Sequence, residues 1–242
     1  KIYFRHATDK RDRLATEFSA LSFLWRHGVR CIPQPLAADS ARGIGVYSFI
    51  VGDRIDVDRV GANDIRAATA MLGTLFNLRD ADGASDIGPA SEAFFSLDAL
   101  LSNLSGRFAR HVGVDGPEQI YAAYRTFRDG PLREALDRFA DVVRTNAAHS
   151  GTSSSEEIPI AARTLSPSDF GFHNALRKGD GGLVFLDFEY FGWDDPAKTV
   201  CDFCYHPAMS LPTASQRLFA DAAVAALGGG PLRRRVFHLA PI

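Results

Sequence analysis

The residues best suited to chemistry lie in two short stretches, Ser166 to Asn174 and Leu186 to Glu189. Between them Leu176 and Arg177, the polar run Lys178 to Gly182 and the apolar run Leu183 to Leu186 describe a hairpin. Folded about Asp180 and Gly181, it sets Asn174 roughly opposite Asp187 at its open end, where facing β-carbons lie about 4.5 to 5.5 Å apart. An amide oxygen and a carboxylate at that separation suit one hard cation; Mg²⁺ takes oxygen ligands and keeps phosphate oxygens and water in its other positions. Asp169, on the loop before the hairpin, then faces the ion's substrate, and its natural role is to accept a proton from an attacking hydroxyl. Asp, Asn five residues on and a second Asp beyond a short hairpin is an arrangement suited to phosphoryl transfer. Asp-x4-Asn alone is common; Asp187, Glu189, Asp195 before Pro196, and Asp202 make it specific. The plainer reading is that Asp169 and Asn174 cap turns and Asp187 ends a strand.

The elements that must hold these groups follow from periodicity. Lys1 to Arg5 has strand composition and Ala7 to Arg11 that of a loop. A helix capped by Asp9 or Asp12 should follow, with Leu14, Phe18, Leu21 and Trp25 on one face and Gly28 as its stop. Strands are expected over Pro35 to Asp39 and Ile44 to Val51, around a turn at Ser40 to Gly43, with Gly52 and Asp53 breaking the pattern. The character then changes to helices: Asp64 to Arg79, Phe94 to Arg110, and Pro117 to Ala147 with a break at Gly130 and Pro131. Ser150 to Glu157 has the composition of a solvated, mobile loop. Helical patterns resume after Pro196 and from Thr213 to Leu227, ended by Gly228 to Gly230.

With 242 residues, 46% apolar and 23% charged, the chain has material for one sizeable domain or two small lobes. A formal charge of −2 argues against a nucleic-acid partner, since phosphate-backbone binding needs a basic excess; the run Arg233 to Arg235 reads as a solvated helix end. No stretch approaches the ~18 to 20 apolar residues that span a bilayer, and no secretion signal opens the chain, so a cytoplasmic location is expected. Cys31, Cys201 and Cys204 cannot build a disulfide framework. Cys201 and Cys204 form a C-x-x-C near His206, but the segment with Val200, Phe203 and Tyr205 reads as a core helix, not a metal site. Both ends read as cut: Lys1 to Phe4 is already strand-like and Phe237 to Ile242 stops within an apolar run.

Asp169 to Asn174, Leu186 to Tyr190 and Asp194 to Asp202 resemble the catalytic loop, metal-binding segment and following helix of aminoglycoside phosphotransferases, and Asp187 to Tyr190 is also similar to choline kinases. Lys1 and Glu17 stand where that family has a phosphate-holding Lys and its helix Glu, and Val46 to Gly52 resembles the hinge strand. The resemblance covers nearly the whole chain. It implies an α+β, protein-kinase-like two-lobed fold. Residues 1–52 would form a partial N-terminal lobe with a small mixed sheet; 53–242 would form a helical C-terminal lobe carrying the catalytic loop 166–174 and metal-binding segment 186–189. It implies ATP and Mg²⁺, with Asp169 as the catalytic base and Asn174 and Asp187 as Mg²⁺ ligands. Lys1 would contact the α/β phosphates, Glu17 would orient Lys1, and the backbone of Ser48, Phe49 and Ile50 would meet adenine. The chain departs from the family at Pro167, where a His usually precedes the catalytic Asp by two residues, and the glycine-rich loop that covers the phosphates would lie before Lys1.

The partners expected are a nucleotide and a small-molecule hydroxyl acceptor of the aminoglycoside, amino-alcohol or sugar class. Glu189, Asp194 and Asp195 would favour a cationic acceptor and Tyr190, Phe191 and Trp193 would offer ring faces, unless the aromatics are core and the acids cap the next helix. Two other functions compete with an active kinase: a kinase-like nucleotide-binding or regulatory module without catalysis, and a metal-dependent phosphoester hydrolase using Asp169, Asn174 and Asp187.

Overall fold

The computed structural model describes residues 1–4, 11–112 and 116–239. The loop and cap expected over Ala7 to Lys10, and the last three residues of the C-terminal apolar run, lie outside them. The chain forms two compact units, one of Lys1–Ala93 with Ile160–Arg233, the other of Phe94–Pro159 with Arg234–Ile242.

In the first unit, Asp12 caps α1 (Arg13–Arg26) by accepting from the Ala15 N–H at 2.9 Å, and Gly28, at φ +83°, ends it in the left-handed conformation that favours glycine. The buried stripe is Leu14, Glu17, Ala20, Leu21, Phe23 and Leu24, while Phe18 and Trp25 are only half-buried. The stripe passes through Glu17, a residue that an apolar pattern steps over. Strands β1 (Pro35–Asp39) and β2 (Ile44–Tyr47) pair antiparallel around the expected turn. The expected N-terminal strand is a single bridge, Ile2 facing Ile44, flanked by hydrogen bonds from the Gly45 N–H to the Lys1 carbonyl and from the Tyr3 N–H to the Gly43 carbonyl. Strand β2 stops short of Val51: past the Pro35–Tyr47 pair the Ser48 N–H still donates to the Gln34 carbonyl at 2.9 Å, but the Gln34 N–H donates to the Ser48 hydroxyl at 2.8 Å instead of to backbone. The chain instead adds β3 (Asp53–Arg54), which pairs with β5 (Ala175–Arg177).

Helix α2 (Ala62–Asn77) packs on α7 (Thr213–Ala226) and buries Ile65, Met71, Leu72 and Leu75. Asp64, buried at its start, pairs with Arg177 of β5 at 2.8 Å. Strand β4 (Thr164–Ser166) pairs antiparallel with β7 (Gly192–Asp194), and β5 with β6 (Leu183–Phe185) closes the expected hairpin over a turn in which Asp180 accepts from the Gly182 N–H. Helix α6 (Pro196–Tyr205) starts at the Asp195 cap. Beneath the hairpin Phe170, Phe172, Phe185, Phe203 and Phe219 pack into one aromatic core, each ring burying enough apolar area to contribute about 1.5–3 kcal/mol. Cys201 and Cys204 are buried thiols on α6 that form no disulfide, and burial pushes the Cys204 thiol up to about 12.

The second unit holds α3 (Leu97–Val112), α4 (Glu118–Phe127) and α5 (Arg133–His149). The last two are joined by a wide turn, Arg128–Leu132, that contains Pro131, as the expected break required. Residues 150–157 form an irregular connection in which no residue is buried. A last helix, α8, spans Gly230–Leu239. No helix among the described residues is long and apolar enough to cross a membrane.

Candidate active site

The loop before the hairpin is fixed from beneath. The buried Ser166 hydroxyl accepts from the Ser168 N–H at 3.0 Å and from the Thr199 hydroxyl of α6 at 3.1 Å. Ser168 is held at φ +66°, an uncommon conformation for a residue with a β-carbon, and the Asp169 N–H closes onto the Pro167 carbonyl at 2.9 Å. With Phe170 and Phe172 just after it sunk in the core, the Asp169 carboxylate is left partly exposed.

Three groups converge on it. His173 Nε2 and His206 Nε2 lie 3.0 and 3.1 Å from Oδ1, and Asn174 Nδ2 donates to Oδ2 at 3.1 Å and to the Asp169 carbonyl at 3.0 Å. The His173 hydrogen bond, with the charge and hydrogen bonds of its other neighbours, outweighs burial and holds the Asp169 carboxyl below the usual carboxylate range. Burial, reinforced by His173, pushes the His206 imidazole down. The two rings stack 4.0 Å apart at 9°. Their planes are nearly parallel, so the in-plane lone pairs of the two Nε2 atoms cannot meet at one ion unless a ring turns. His173 Nδ1 is, among the described residues, a buried side-chain nitrogen with no hydrogen-bond partner.

A second cluster centres on Lys1. Its ammonium lies 2.7 Å from Glu17 of α1, 2.7 Å from Asp187 and 3.3 Å from Glu189. Glu17 is buried, accepts from the Tyr3 hydroxyl and lies 3.4 Å from the Phe188 N–H; the Tyr47 hydroxyl of β2 is 2.8 Å from that of Tyr3. Asp187 sits at φ +64°, where Asp is better tolerated than most residues, and this turn out of β6 swings its carboxylate to Lys1. Arg13 meets the other oxygen of Glu189 at 3.2 Å. Burial pulls the Lys1 ammonium down, but the hydrogen bonds to Asp187 and Glu17 outweigh it and hold the group above the usual lysine range. Three carboxylates, from Glu17, Asp187 and Glu189, offer oxygens within 4.8 Å of one another, a donor set that suits a hard cation.

The structure thus brings Asp169 together with Asn174, and Lys1 with Glu17 and Asp187. It does not join Asn174 to Asp187 directly. The hairpin register puts Asn174 opposite Leu186, whose N–H donates to the Asn174 carbonyl at 2.8 Å, so Asp187 lies one residue beyond the expected pairing. The hinge stretch is divided: the Ser48 N–H is committed to Gln34, while the backbone groups of Phe49 and Ile50 have no partner among the described residues and Phe49 is 90% exposed. The residues expected to face an acceptor are mostly structural. Phe191 is buried, Trp193 donates to the Ala84 carbonyl, Asp195 caps α6, and Asp194 is fully buried against Lys198, its pKa pushed up to about 6 by burial. Sequence reasoning missed Tyr3, Tyr47, His173 and His206. His173 is four residues from Asp169 in the motif itself and was detectable; His206 arrives from another element, and no spacing announces it.

No protein-family model matches the chain, and no curated protein matches it. Among solved structures it is similar to a spectinomycin phosphotransferase in complex with ADP and spectinomycin, at a TM-score of 0.66 and 11% identity over 93% of this chain and 67% of that one. It is also similar to a choline/ethanolamine kinase family protein from Mesorhizobium loti, at a TM-score of 0.56 and 19% identity over 93% of this chain and 66% of that one. A macrolide 2′-phosphotransferase from Brachybacterium faecium gives a TM-score of 0.57 and 18% identity over 94% and 69%. The chain spans about two thirds of the length of these structures. The likeness shows the fold, α+β and protein-kinase-like.

Proposed function

We propose that the chain is the greater part of an ATP- and Mg²⁺-dependent phosphotransferase acting on a hydroxyl of a small molecule. The observation that carries this reading is a pair of clusters borne by one hairpin: a Lys ammonium held by a buried Glu and by Asp187, and beside the same hairpin an Asp whose carboxylate is tied to the Asn five residues on.

In this reading Asp169, ionised and partly exposed, accepts the proton of the acceptor hydroxyl. Lys1 holds the α/β phosphates, and Glu17, itself fixed by Tyr3, keeps the ammonium extended toward them. Asp187 and the Asn174 amide oxygen would hold Mg²⁺, which when bound would neutralise charge on the phosphates. Asp187 meets Lys1 in the structure, and its partly exposed carboxylate is available to a cation arriving with nucleotide. The exposed Phe49 and the open backbone of Phe49 and Ile50 suit the flat face and polar edge of adenine. The acceptor is left as a class: aminoglycoside, amino alcohol or sugar. Cysteines held as thiols rather than disulfides accord with a reducing, cytoplasmic setting.

Calorimetric titration of ATP into the full-length protein, with and without Mg²⁺, tests this. Metal-dependent binding is expected, lost in Asp187→Ala and retained in Asp169→Asn. Turnover by Asp169→Asn should fall by about 10²- to 10⁴-fold, the usual contribution of a positioned base. Undiminished turnover would remove Asp169 from its role, and absence of nucleotide binding by the folded protein would remove the phosphotransfer reading.

A further inference from the structure

From Thr164 to Phe172 every residue except Asp169 is buried, so a single carboxylate is turned out of an otherwise closed segment. A three-residue turn does this. The Asp169 N–H donates to the Pro167 carbonyl at 2.9 Å across Ser168, which stands at φ +66°. A hydrogen bond spanning one residue of positive φ is the γ-turn, a rare and strained form, and the residue it spans here carries a β-carbon. Such strain persists only where the surroundings impose it.

Here the surroundings are a buried link to α6. The Ser168 N–H donates to Ser166 Oγ at 3.0 Å, and Ser166 Oγ is bonded in turn to Thr199 Oγ1 at 3.1 Å. Thr199 Oγ1 also lies 3.3 Å from the Asp195 carbonyl; if that carbonyl takes the Thr199 proton, the Ser166 hydroxyl donates in return and the link stands. Ser166 and Thr199 are 0% and 1% exposed, so solvent does not compete for either hydroxyl. The link reaches the backbone of Ser168 and not its side chain, so glycine at 168 keeps it and removes only the strain.

We propose that Thr199 is a positioning residue for phosphoryl transfer: through Ser166 it holds the Ser168 peptide in the strained turn, and the turn presents the Asp169 carboxylate to the acceptor hydroxyl. This role rests on Asp169 being the base. Valine at 199 keeps the shape of threonine without the hydroxyl, which frees Ser166 to rotate and Ser168 to relax to negative φ, carrying Asp169 out of line. Glycine at 168 adopts positive φ about as readily as negative, so it returns the turn to roughly half occupancy even without the link. A helix that merely packs less well is not repaired by a glycine on another segment.

Two measurements test it on the full-length protein. In turnover of Mg·ATP scored as ADP release, Thr199→Val should lower kcat by roughly 10- to 100-fold, the scale of a small misplacement of a reacting group, with KM for ATP unchanged. Thr199→Ser, which keeps the hydroxyl, should stay close to wild type, and Thr199→Val combined with Ser168→Gly should come within about threefold of Ser168→Gly alone. Should Thr199→Val not fold, Ser166→Ala removes the other end of the link and carries the same expectations. Thermal unfolding reads the strain apart from activity: Ser168→Gly alone should raise the melting temperature by about 1 to 3 °C, relief of strain exceeding the freedom glycine adds to the unfolded chain. An unchanged or lowered melting temperature in Ser168→Gly would overturn the proposal. So would wild-type kcat in Thr199→Val, or an equal loss from it in the serine and glycine backgrounds, the mark of damaged packing. Undiminished turnover by Asp169→Asn would remove the base on which the role rests, a failure told apart because the glycine variant would still melt higher.

Discussion

The Asp169 carboxylate meets the His173 imidazole in a hydrogen bond on one oxygen and accepts from the Asn174 amide on the other, with His206 Nε2 3.1 Å away, and these neighbours favour its charged form. The consequence for pH has a definite sign. Because the folded state depresses this pKa below the ordinary value of 3.8, the stabilisation is fully present above that value and is lost as pH falls through the folded one. The difference in thermal stability between wild type and Asp169→Asn should therefore be constant from pH 7 down to about 5 and should shrink below about 4. Thermal unfolding of both proteins at pH 7, 5 and 3 measures it, and a difference that grows on acidification would contradict the hydrogen-bond geometry. The same neighbours make Asp169 an intrinsically weak base, so its catalytic use depends on where the acceptor proton is held more than on proton affinity.

At the scale of elements, the close approach of backbones is what fixes the site's frame. Gly192 in β7 lies against the segment 88–90, with the Trp193 N–H donating to the Gly88 carbonyl and the Ala90 N–H to the Trp193 carbonyl. A β-carbon at Gly192 would fall 2.4 Å from the Ala90 nitrogen and 2.5 Å from the Gly88 oxygen, atoms that cannot rotate away. Gly192→Ala should cost about 1–3 kcal/mol or more, whereas Gly88→Ala, whose β-carbon meets nothing within 4 Å, should stay within about 0.5 kcal/mol. Urea denaturation of the two variants decides between them. Element positions were largely legible in the sequence because turn chemistry and apolar period agree there: β1, the hairpin, the π-type break at Pro131 and the starts of α6 and α7 fall where expected. What was not legible needed tertiary information. The hairpin register slips by one because the Leu186 N–H, not that of Asp187, bonds to Asn174, and β3 exists only because β5 offers it an edge. Glu17 was found by resemblance, yet its burial on the apolar stripe of α1 is a local signal in its own right. His206 had no such signal, since its approach to Asp169 depends on where α6 ends in space.

Over the whole chain, buried side chains are unevenly distributed, and that should set how each unit opens. The first unit buries apolar faces of α1, α2, α6 and α7 and the aromatic layer under the hairpin. In the second, among the described residues, α4 buries nothing, α5 buries Val143 and Ala147, and α3 contributes Leu97 and Leu101. Ile120 and Phe127 of α4 are more than half exposed, at 68% and 53%, and a cavity of about 610 Å³ between α3 and α5 is lined by Leu101, Leu104, Phe108, Leu136 and Phe139. A helix holds its amides closed mainly through the packing of its apolar face, so few buried contacts mean a small free energy of local opening. Amides of α4 and α5 should exchange with solvent roughly tenfold or more faster than those of α2 and α6, as read by hydrogen–deuterium exchange with mass spectrometry. The connection 150–157, with no buried residue to hold it, should be the first site cut in limited proteolysis, ahead of any site in Leu183 to Leu186. Equal protection of α4 and α6 would mean that the second unit is stabilised by something other than its visible core. Early cleavage within β6 would place the weak point in the hairpin that carries Asn174 and Asp187, and the frame assigned to the site would fail with it.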